Sequence, residues 1–472
     1  MKITCCNTSL NIQATEHASF TCKEIYAGRV EYFRLRNYRH TIHTKQVFKP
    51  LPEENLLLLT AMKNTCPNSG IRRKCEMAIK KLQGFDPDTD LQFTEDEFWQ
   101  DEEGQTSGRK EELQSGQLAW KFRIGGPILG GIQSIIDPNG NRRIYLGTTE
   151  RNLHAIETDS DGFDPKMVWQ ESLNGDIIST PLFKDYVIYL VTKAGGILAI
   201  DSGLHGKKYT PGKAINIKPT IIWDTKLRKG INTEPFLSSN MLMVASWDDH
   251  LHAYEASYNN PESYQIGKEL WSFRAEGINS SPNLFEGTVY IGDDEGTLYA
   301  VNYGGKTAET FWKVACGGGI WTRPYVDEQF VFTTTLDGYI VCVDSSQGKV
   351  AWKFKTGDKM YSSPLVIPVE GGRKACVAGS DDGILYAVYH TGGSANPLWK
   401  IKTKGKVRAE PIIHHGKILV GSGDNNFYCI EAQSGTILWR YTTDGNIYSK
   451  AAILGDKVIF GSSDGFLYSV KI

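Results

Sequence analysis

Short apolar runs of four to six residues alternate with polar positions from about residue 115 to the end of the chain. Glycine, aspartate and asparagine separate the runs. This period-two pattern predicts half-buried β-strands joined by tight turns. Two stretches repeat it almost letter for letter: MYSSPLVIPVEGGRKACVAGSDDGILYAV at 360–388 and IYSKAAILGDKVIFGSSDGFLYSV at 447–470. The sequence therefore predicts a repeated all-β unit.

An apolar residue followed by tryptophan marks the end of each repeat, at intervals of 40 to 54 residues. Each interval holds an I-x-S-S-P-like segment, a short apolar strand, G-S-x-D-G and L-Y-A-V, often followed by S-G-K-x-x-W. Four short antiparallel strands in 40 to 50 residues are typical of a propeller blade. The repeat tryptophans are Trp120, Trp169, Trp223, Trp271, Trp312, Trp352, Trp399 and Trp439.

Eight I-x-S-S-P-like segments predict eight blades within residues 115–472. The last copy stops at Ile472 without a closing tryptophan strand, whereas an isolated closing strand, SGQLAWKF at 115–122, precedes the first copy. We expect the N-terminal strand to complete the last blade, which leaves no open sheet edge. Residues 1–84 are predicted to form a small, partly helical module, and 85–114 an acidic EF-hand-like loop and linker.

The spaced tryptophans and phrases such as GSDDGILYAV and AQSGTILW resemble the PQQ-like propeller repeats. These repeats occur in quinoprotein alcohol dehydrogenases, in the propeller lipoprotein of outer-membrane assembly and in the β-alanine-activating enzymes. The resemblance covers about three quarters of the chain. It implies the fold and says little about activity, because one fold supports many functions.

The resemblance does not extend to the quinone site. The dehydrogenases of this group place a vicinal disulfide over PQQ and hold Ca²⁺ beside a catalytic aspartate. The only adjacent cysteines here, Cys5 and Cys6, precede the propeller, and no PQQ ligand can be matched position by position. Bound PQQ is therefore not expected.

Positions where the repeats disagree are candidates for function, since structural positions should agree between blades. Two such positions are the second and fourth residues of the I-x-S-S-P-like segment, which should crowd toward the propeller axis. The second residues are Leu129, Ile178, Asn232, Asn279, Trp321, Tyr361, Arg408 and Tyr448. The fourth residues are Gly131, Thr180, Glu234, Ser281, Arg323, Ser363, Glu410 and Lys450.

Four of the fourth residues are charged, and buried charges are costly unless they are paired. Lys450 is expected to meet Glu410 on the neighbouring blade. One interpretation is an ion-paired plug that includes Glu234 and Arg323. The other is a polar pocket lined by the second-position side chains Asn232, Asn279, Trp321, Tyr361, Arg408 and Tyr448.

The pocket interpretation leaves two functions open. One is a binding site for a protein or a small molecule. The alternative is a non-redox acid/base enzyme of lyase, cyclase or transferase type, with Glu234 or Glu410 as the base and Lys450 or Arg323 steadying an anion. The aspartates of the turns before L-Y-A-V are expected to cap those turns. His250 and His252 could hold a metal, but no third ligand is in register, so packed or surface histidines are expected.

The N-terminal 114 residues do not follow the repeat. Within FDPDTDLQFTEDEFWQ, four acids occupy positions 1, 3, 5 and 12 of an EF-hand loop: Asp86, Asp88, Asp90 and Glu97. Position 6 requires glycine for its positive φ, and Leu91 stands there. A calcium site, a degenerate EF-hand used for packing and a plain acidic linker all remain open.

Composition changes this picture little. The chain has 472 residues and a formal charge of −2, which gives no reason to expect nucleic acid as a partner. No apolar run reaches the roughly 18 residues of a membrane span. The start has no apolar signal region, and the cysteines do not suggest a disulfide framework, so a cytoplasmic location is expected.

Overall fold

The computed structural model describes residues 113–137, 140–204, 219–256, 267–303, 307–390 and 394–472, and the backbone of five strands nearer the N-terminus. The chain divides into two compact units, Met1–Glu112 and Leu113–Ile472. The predicted helices and the EF-hand-like loop of the first unit lie outside the described residues. The five strands of the first unit form one sheet: Lys2–Cys5, Thr8–Asn11, Ser19–Cys22, Tyr32–Arg36 and Ile42–His43.

The second unit is an eight-bladed β-propeller, as predicted, and each blade is a four-stranded antiparallel sheet. The strands of blades 1 to 4 are Gln133–Ile136, Arg142–Gly147, Asn152–Thr158 and Lys166–Ser172; Leu182–Lys184, Val187–Val191, Gly196–Asp201 and Thr220–Lys226; Phe236–Ser238, Met241–Ser246, His250–Glu255 and Glu269–Arg274; and Asn283–Phe285, Thr288–Gly292, Thr297–Tyr303 and Ala308–Ala315.

The remaining blades follow the same order along the chain. The strands of blades 5 to 8 are Tyr325–Val326, Phe330–Thr334, Tyr339–Asp344 and Lys349–Lys355; Leu365–Val369, Arg373–Gly379, Ile384–His390 and Ala395–Lys402; Ile412–His414, Lys417–Gly421, Asn426–Glu431 and Ile437–Thr442; and Ala452–Leu454, Lys457–Gly461, Phe466–Lys471 and Leu118–Arg123. A single 3₁₀ turn, Glu370–Gly372, is the only helical element in the described part of the propeller.

The N-terminal strand closes the ring, as predicted. Leu118–Arg123 pairs antiparallel with Phe466–Lys471, so that Trp120 lies opposite Ser469. Two backbone hydrogen bonds extend the pairing to Gly116 and Gln117. Blade 8 is therefore built from both ends of the propeller segment, and the closure removes what would otherwise be an unpaired strand edge.

The core lies between blades. The second and third strands of each blade are the most deeply buried; Val187–Val191, for example, is buried along its whole length. Eight clusters of buried apolar residues each join two neighbouring blades, including blades 8 and 1. Each fully buried aliphatic side chain contributes about 1.5 to 3 kcal/mol. The ring is thus held by equivalent interfaces.

The repeat tryptophans reach from one blade to the next. The indole N–H of Trp312 donates to the carbonyl of Ser345 on the following blade at 2.8 Å. The S-G-K glycine of that blade, Gly348, lies against the same ring, since a Cβ there would come within 2.7 Å of the indole. Gly435 packs in the same way beneath Trp399. The repeat tryptophan of one blade therefore packs against the S-G-K glycine of the following blade.

Candidate functional site

The I-x-S-S-P-like residues form what we call the lead segment of each blade, an irregular stretch just before the first strand. Its first and third residues are buried; in blade 8 these are Ile447 and Ser449. The Ser449 hydroxyl donates to the carbonyl of Gly461 at 2.8 Å. First and third residues therefore anchor the segment, and the second and fourth are left to face the axis. We call these the rim and floor positions.

A second variable position lies at the same end of each blade. The first strand leads away from the lead segment and the second strand returns, so the turn between the second and third strands lies beside it. One residue of this turn donates its backbone N–H to the carbonyl just before the lead segment's first residue; Asp294 bonds Gly277 in this way at 2.9 Å. The equivalent turn positions are Thr149, Lys193, Trp247, Asp294, Leu336, Asp381, Gly423 and Ser463.

The turn position of one blade meets the rim position of the next. Asp381 of blade 6 accepts two hydrogen bonds from Arg408 of blade 7, at 2.8 and 2.7 Å, and one from Lys406 at 3.0 Å. These cations hold the pKa of the Asp381 carboxyl below its usual range, although burial opposes them. The Arg408 guanidinium also lies 4.5 Å from the ring centre of Tyr361 and 6.0 Å from that of Tyr448.

The same relationship recurs between blades 3, 4 and 5 with different chemistry. Asp294 of blade 4 accepts a hydrogen bond of 2.5 Å from the indole of Trp321 on blade 5. The Asn279 amide donates to both oxygens of Asp294, and its own oxygen accepts the indole N–H of Trp247. Trp321 also meets Tyr361 edge to face, with ring centres 5.8 Å apart. The two contact groups therefore share Tyr361 and form one arc from blade 3 to blade 8.

The floor position carries the four charges predicted from the sequence. Lys450 Nζ lies 2.5 Å from Glu410 Oε1, so the expected ion pair between blades 7 and 8 is present. Glu234 accepts a hydrogen bond of 2.6 Å from the backbone N–H of Thr180. Arg323 donates to the carbonyl of Pro235 at 3.0 Å, two blades away. Glu234 and Arg323 therefore bind backbone groups, whereas the plug interpretation had assigned both residues to side-chain ion pairs.

Burial raises the pKa of the Glu234 carboxyl, although Arg323, the Thr180 hydrogen bonds and Lys450 act in the opposite direction. Space at this layer is also limited. A Cβ at Gly131 would come within 2.0 Å of the Thr180 hydroxyl and 3.3 Å of Lys450 Cβ. Blade 1 therefore carries glycine because neighbouring floor side chains occupy that volume.

The structure brings most of the sequence-predicted residues into these two layers. Trp321, Tyr361, Arg408, Tyr448 and Asn279 belong to the arc of rim and turn residues. Asn232 occupies the rim position of blade 3, but no hydrogen bond joins its side chain to another described residue. The calcium candidates Asp86, Asp88, Asp90 and Glu97 lie outside the part of the chain that the structure describes.

Sequence reasoning missed three residues of the arc. Trp247 was visible only as a tryptophan outside the repeat, and Asp294 and Asp381 resembled turn caps. Their neighbours do cap: Asp382 accepts hydrogen bonds from the Ile384 N–H and the Tyr386 hydroxyl. The usable signal was an aspartate at the turn position itself, which blades 4 and 6 have and the other six copies lack.

The two histidines of blade 3 are held by carboxylates. His252 takes the place of the L-Y-A-V tyrosine, with Nε2 3.2 Å from Asp248 and Nδ1 2.9 Å from Glu269. His250 Nδ1 lies 2.8 Å from the carbonyl of Asp248. Within the described ranges, no three His, Cys, Asp or Glu side chains are placed to hold a metal ion.

The fold and these layers define an eight-bladed propeller with a variable polar and aromatic face. A family model described as outer membrane protein assembly factor BamB matches residues 110–208, 263–396 and 381–472, about two thirds of the chain. The chain therefore belongs to this family of PQQ-like repeat propellers.

Individual relatives are distant. BamB of Yersinia pestis is 22% identical over 46% of this chain and 60% of its own. The human β-alanine-activating enzyme is 26% identical over 23% of this chain and 10% of its own. A quinone-dependent 1-butanol dehydrogenase of Thauera butanivorans is 36% identical over 16% of this chain and 12% of its own. The chain thus spans only part of these curated relatives.

The solved structure of BamB from Moraxella catarrhalis superposes with a TM-score of 0.57 at 16% identity, covering 75% of this chain and 97% of that one. This likeness concerns the fold alone. Among the described residues, no helix is both long and apolar enough to cross a membrane.

Proposed function

We propose that the protein is a non-catalytic binding platform and that the arc from blade 3 to blade 8 holds a protein partner. The observation that carries this proposal is the exposure of two indoles on one hydrogen-bonded network, Trp247 at 38% and Trp321 at 36%. Tryptophan, tyrosine and arginine are the side chains that most often dominate the binding energy of protein interfaces. The arc supplies all three.

The floor layer supports binding rather than catalysis. Lys450 and Glu410 engage one another, and Arg323 and Glu234 each bind the backbone of another blade. A general base must be within hydrogen-bond reach of the proton it abstracts, with its lone pairs available. These four side chains already bind groups on other blades, so a structural role fits them better than catalysis.

The family likeness supports a protein partner over a small molecule. The matching family and one relative are described as assembly factors, a role that requires contact with other proteins. The residues of the chain do not provide a matched set of PQQ ligands, so we propose no quinone chemistry for it.

Site-specific photo-crosslinking in cells tests the proposal. A photoreactive aromatic amino acid, which keeps an aromatic ring at the site, replaces Trp321 in one variant and Gln329 in the other. Gln329 is exposed in the turn between the first two strands of blade 5, at the opposite end of the same blade. We expect discrete protein adducts from position 321 and few from 329. Equal adduct patterns, or none from 321, would contradict the proposal.

A second candidate function is non-redox acid/base catalysis of lyase, cyclase or transferase type. The specific observation in its favour is Glu234, whose pKa is raised by burial beside two cationic side chains. Native mass spectrometry of freshly purified protein tests it. A small molecule that is retained by the wild type and lost in Glu234→Gln would favour the enzyme over the binding platform.

A further inference from the structure

Two turn positions carry aspartate, and the two carboxylates differ in how they are neutralised. Asp381 is bound by the guanidinium of Arg408 and the ammonium of Lys406. Asp294 is bound by neutral donors, the Trp321 indole and the Asn279 amide. Within the described ranges, no Lys or Arg nitrogen lies within 4.0 Å of Asp294. Its negative charge is therefore unpaired at short range.

The pair on blades 6 and 7 shows how this fold holds a guanidinium. The carboxylate of a turn position binds Arg408 through two parallel hydrogen bonds, and aromatic rings from rim positions lie beside it. Blades 3 to 5 present the same kinds of groups: a turn carboxylate, Asp294, bound directly by the Trp321 indole and linked through the Asn279 amide to the Trp247 indole. The recognition elements for a cation are thus repeated there, with both indoles open to solvent.

The Asp294 carboxylate has capacity for one more donor. Oδ1 accepts hydrogen bonds from Trp321 and Asn279, and Oδ2 accepts one from Asn279. A carboxylate offers about four acceptor positions, so one remains on Oδ2. Asp294 is exposed, which lets an incoming donor replace water there.

The charges nearby favour a cation. Glu295 follows Asp294 and is exposed, and Glu276 lies one residue before Gly277, whose Cβ would come within 3.0 Å of the Asp294 side chain. Arg274 lies 3.7 Å from Glu276, but both side chains are largely solvated. An acidic surface beside two exposed indoles attracts a cation by long-range steering, and a cation that reaches an indole face gains a cation–π contact as well.

We infer that Asp294, Trp247 and Trp321 form a receptor for an arginine side chain of the protein partner. This rests on the proposed function and names the chemistry of that partner. Arginine fits better than lysine because its planar guanidinium can bond a carboxylate and stack on an aromatic ring at once. Arg408 makes both contacts within the chain itself.

The test uses the full chain labelled with 5-fluorotryptophan and observed by ¹⁹F NMR. The variants Trp247→Phe and Trp321→Phe assign the two resonances. The probe is the peptide acetyl-Gly-Gly-Arg-Gly-Gly-amide, and its control carries citrulline, which has the same shape without the charge. We expect both resonances to shift saturably in the millimolar range with the arginine peptide only. Equal shifts with citrulline, or no shift, would overturn the inference.

Matched variants separate the receptor from the general acidic field. Asp294→Asn should weaken binding of the arginine peptide about tenfold, because it removes the charge and keeps the shape. Glu295→Gln makes the same change in net charge one residue away and should weaken binding less than twofold. An equal loss of peptide affinity in both variants would show that the peptide is held only by non-specific electrostatic attraction. The inferred arginine receptor would then be wrong.

The two proposals fail in different ways. If position 321 crosslinks to a partner but the peptide leaves both indole resonances unmoved, the platform stands and the arginine receptor is wrong. If the peptide binds through Asp294 but position 321 yields no adduct, Asp294 and the indoles still bind arginine, but the assignment of that arginine to a protein partner is wrong.

Discussion

The ammonium of Lys450 on blade 8 lies 2.5 Å from the carboxylate of Glu410 on blade 7. Most other blades place Gly, Ser or Thr at this floor position, and blade 6 has Ser363. The departure of the last copy from the repeat therefore has a local cause, since each charge is present to meet the other.

Removing one member of this pair should destabilise the propeller more than removing both. Lys450→Ser or Glu410→Ser introduces the residue that other blades use and leaves the remaining charge unpaired. We expect each single variant to lose about 1 to 2 kcal/mol, between the values of exposed and buried pairs, because both side chains are partly solvated. The double variant should recover at least half of the summed loss. Urea unfolding gives the free energy of unfolding of the wild type, the two single variants and the double variant. If the loss in the double variant equals the sum of the two single losses, the pair is not coupled.

Glu234 should make the protein less stable as pH rises. A carboxyl whose pKa is higher in the folded state than in the unfolded chain binds its proton more tightly when folded. Glu234 therefore contributes most to the free energy of unfolding below the pKa that this carboxyl has in the unfolded chain. The contribution is lost as pH rises through the pKa that it has in the folded protein. Glu234→Gln should be at least as stable as the wild type at pH 7.5, and this advantage should shrink at pH 5. A variant that is clearly less stable at pH 7.5 would contradict this account.

His154 should have the opposite effect on the pH dependence of stability. Its ring is buried, and neither nitrogen has a hydrogen-bond partner among the described residues. Burial lowers the pKa of His154 from 6.5 to about 4. The unfolded chain therefore takes up the proton first, so stability is retained above pH 6.5 and lost as pH falls toward 4.

The variant His154→Leu isolates this effect, because blade 2 carries Leu198 at the equivalent position. Relative to the variant, the wild type should lose about 2 kcal/mol between pH 7.5 and 5. Urea unfolding at both pH values measures the difference. His415→Asn is the control, since that histidine is exposed with φ +45°, a conformation that asparagine tolerates. An equal effect in the control would rule out burial of His154 as the cause.

The fold was predictable because each blade uses the same packing contacts and turns at the same places in the repeat. Tryptophan contacts and glycine turns recur at fixed places, and the isolated strand at 115–122 could pair only with an incomplete last blade. The substitutions Cys342 and Cys429 for alanine in L-Y-A-V also fit, since both are fully buried small residues.

The rim and floor residues were predictable for a related reason. Equivalent positions in a closed ring must lie side by side, so Trp321 and Tyr361 were expected to line the same pocket, and Glu410 and Lys450 were expected to meet. Comparing the copies with one another was sufficient to find them.

The partners in the turns were not predictable in the same way. Asp294 with Trp321 and Asp381 with Arg408 are both contacts across 27 residues, from the turn of one blade to the lead segment of the next. The sequence does not show that the turn of one blade lies beside the lead segment of the next. This becomes visible only in the folded ring, where neighbouring blades pack against each other. The backbone partners of Glu234 and Arg323 were missed because residue types alone do not show which N–H or carbonyl group lies nearby.

The most direct test of the account compares the arc with the floor in one binding measurement. Isothermal titration with the partner identified by crosslinking would use the wild type, Trp321→Ser and the Lys450→Ser/Glu410→Ser double variant. We predict that Trp321→Ser weakens binding at least about tenfold, as expected for an interface hot spot, and that the double variant changes it less than twofold. If the floor variant abolishes binding and Trp321→Ser does not, the arc is not the binding surface and the account is wrong.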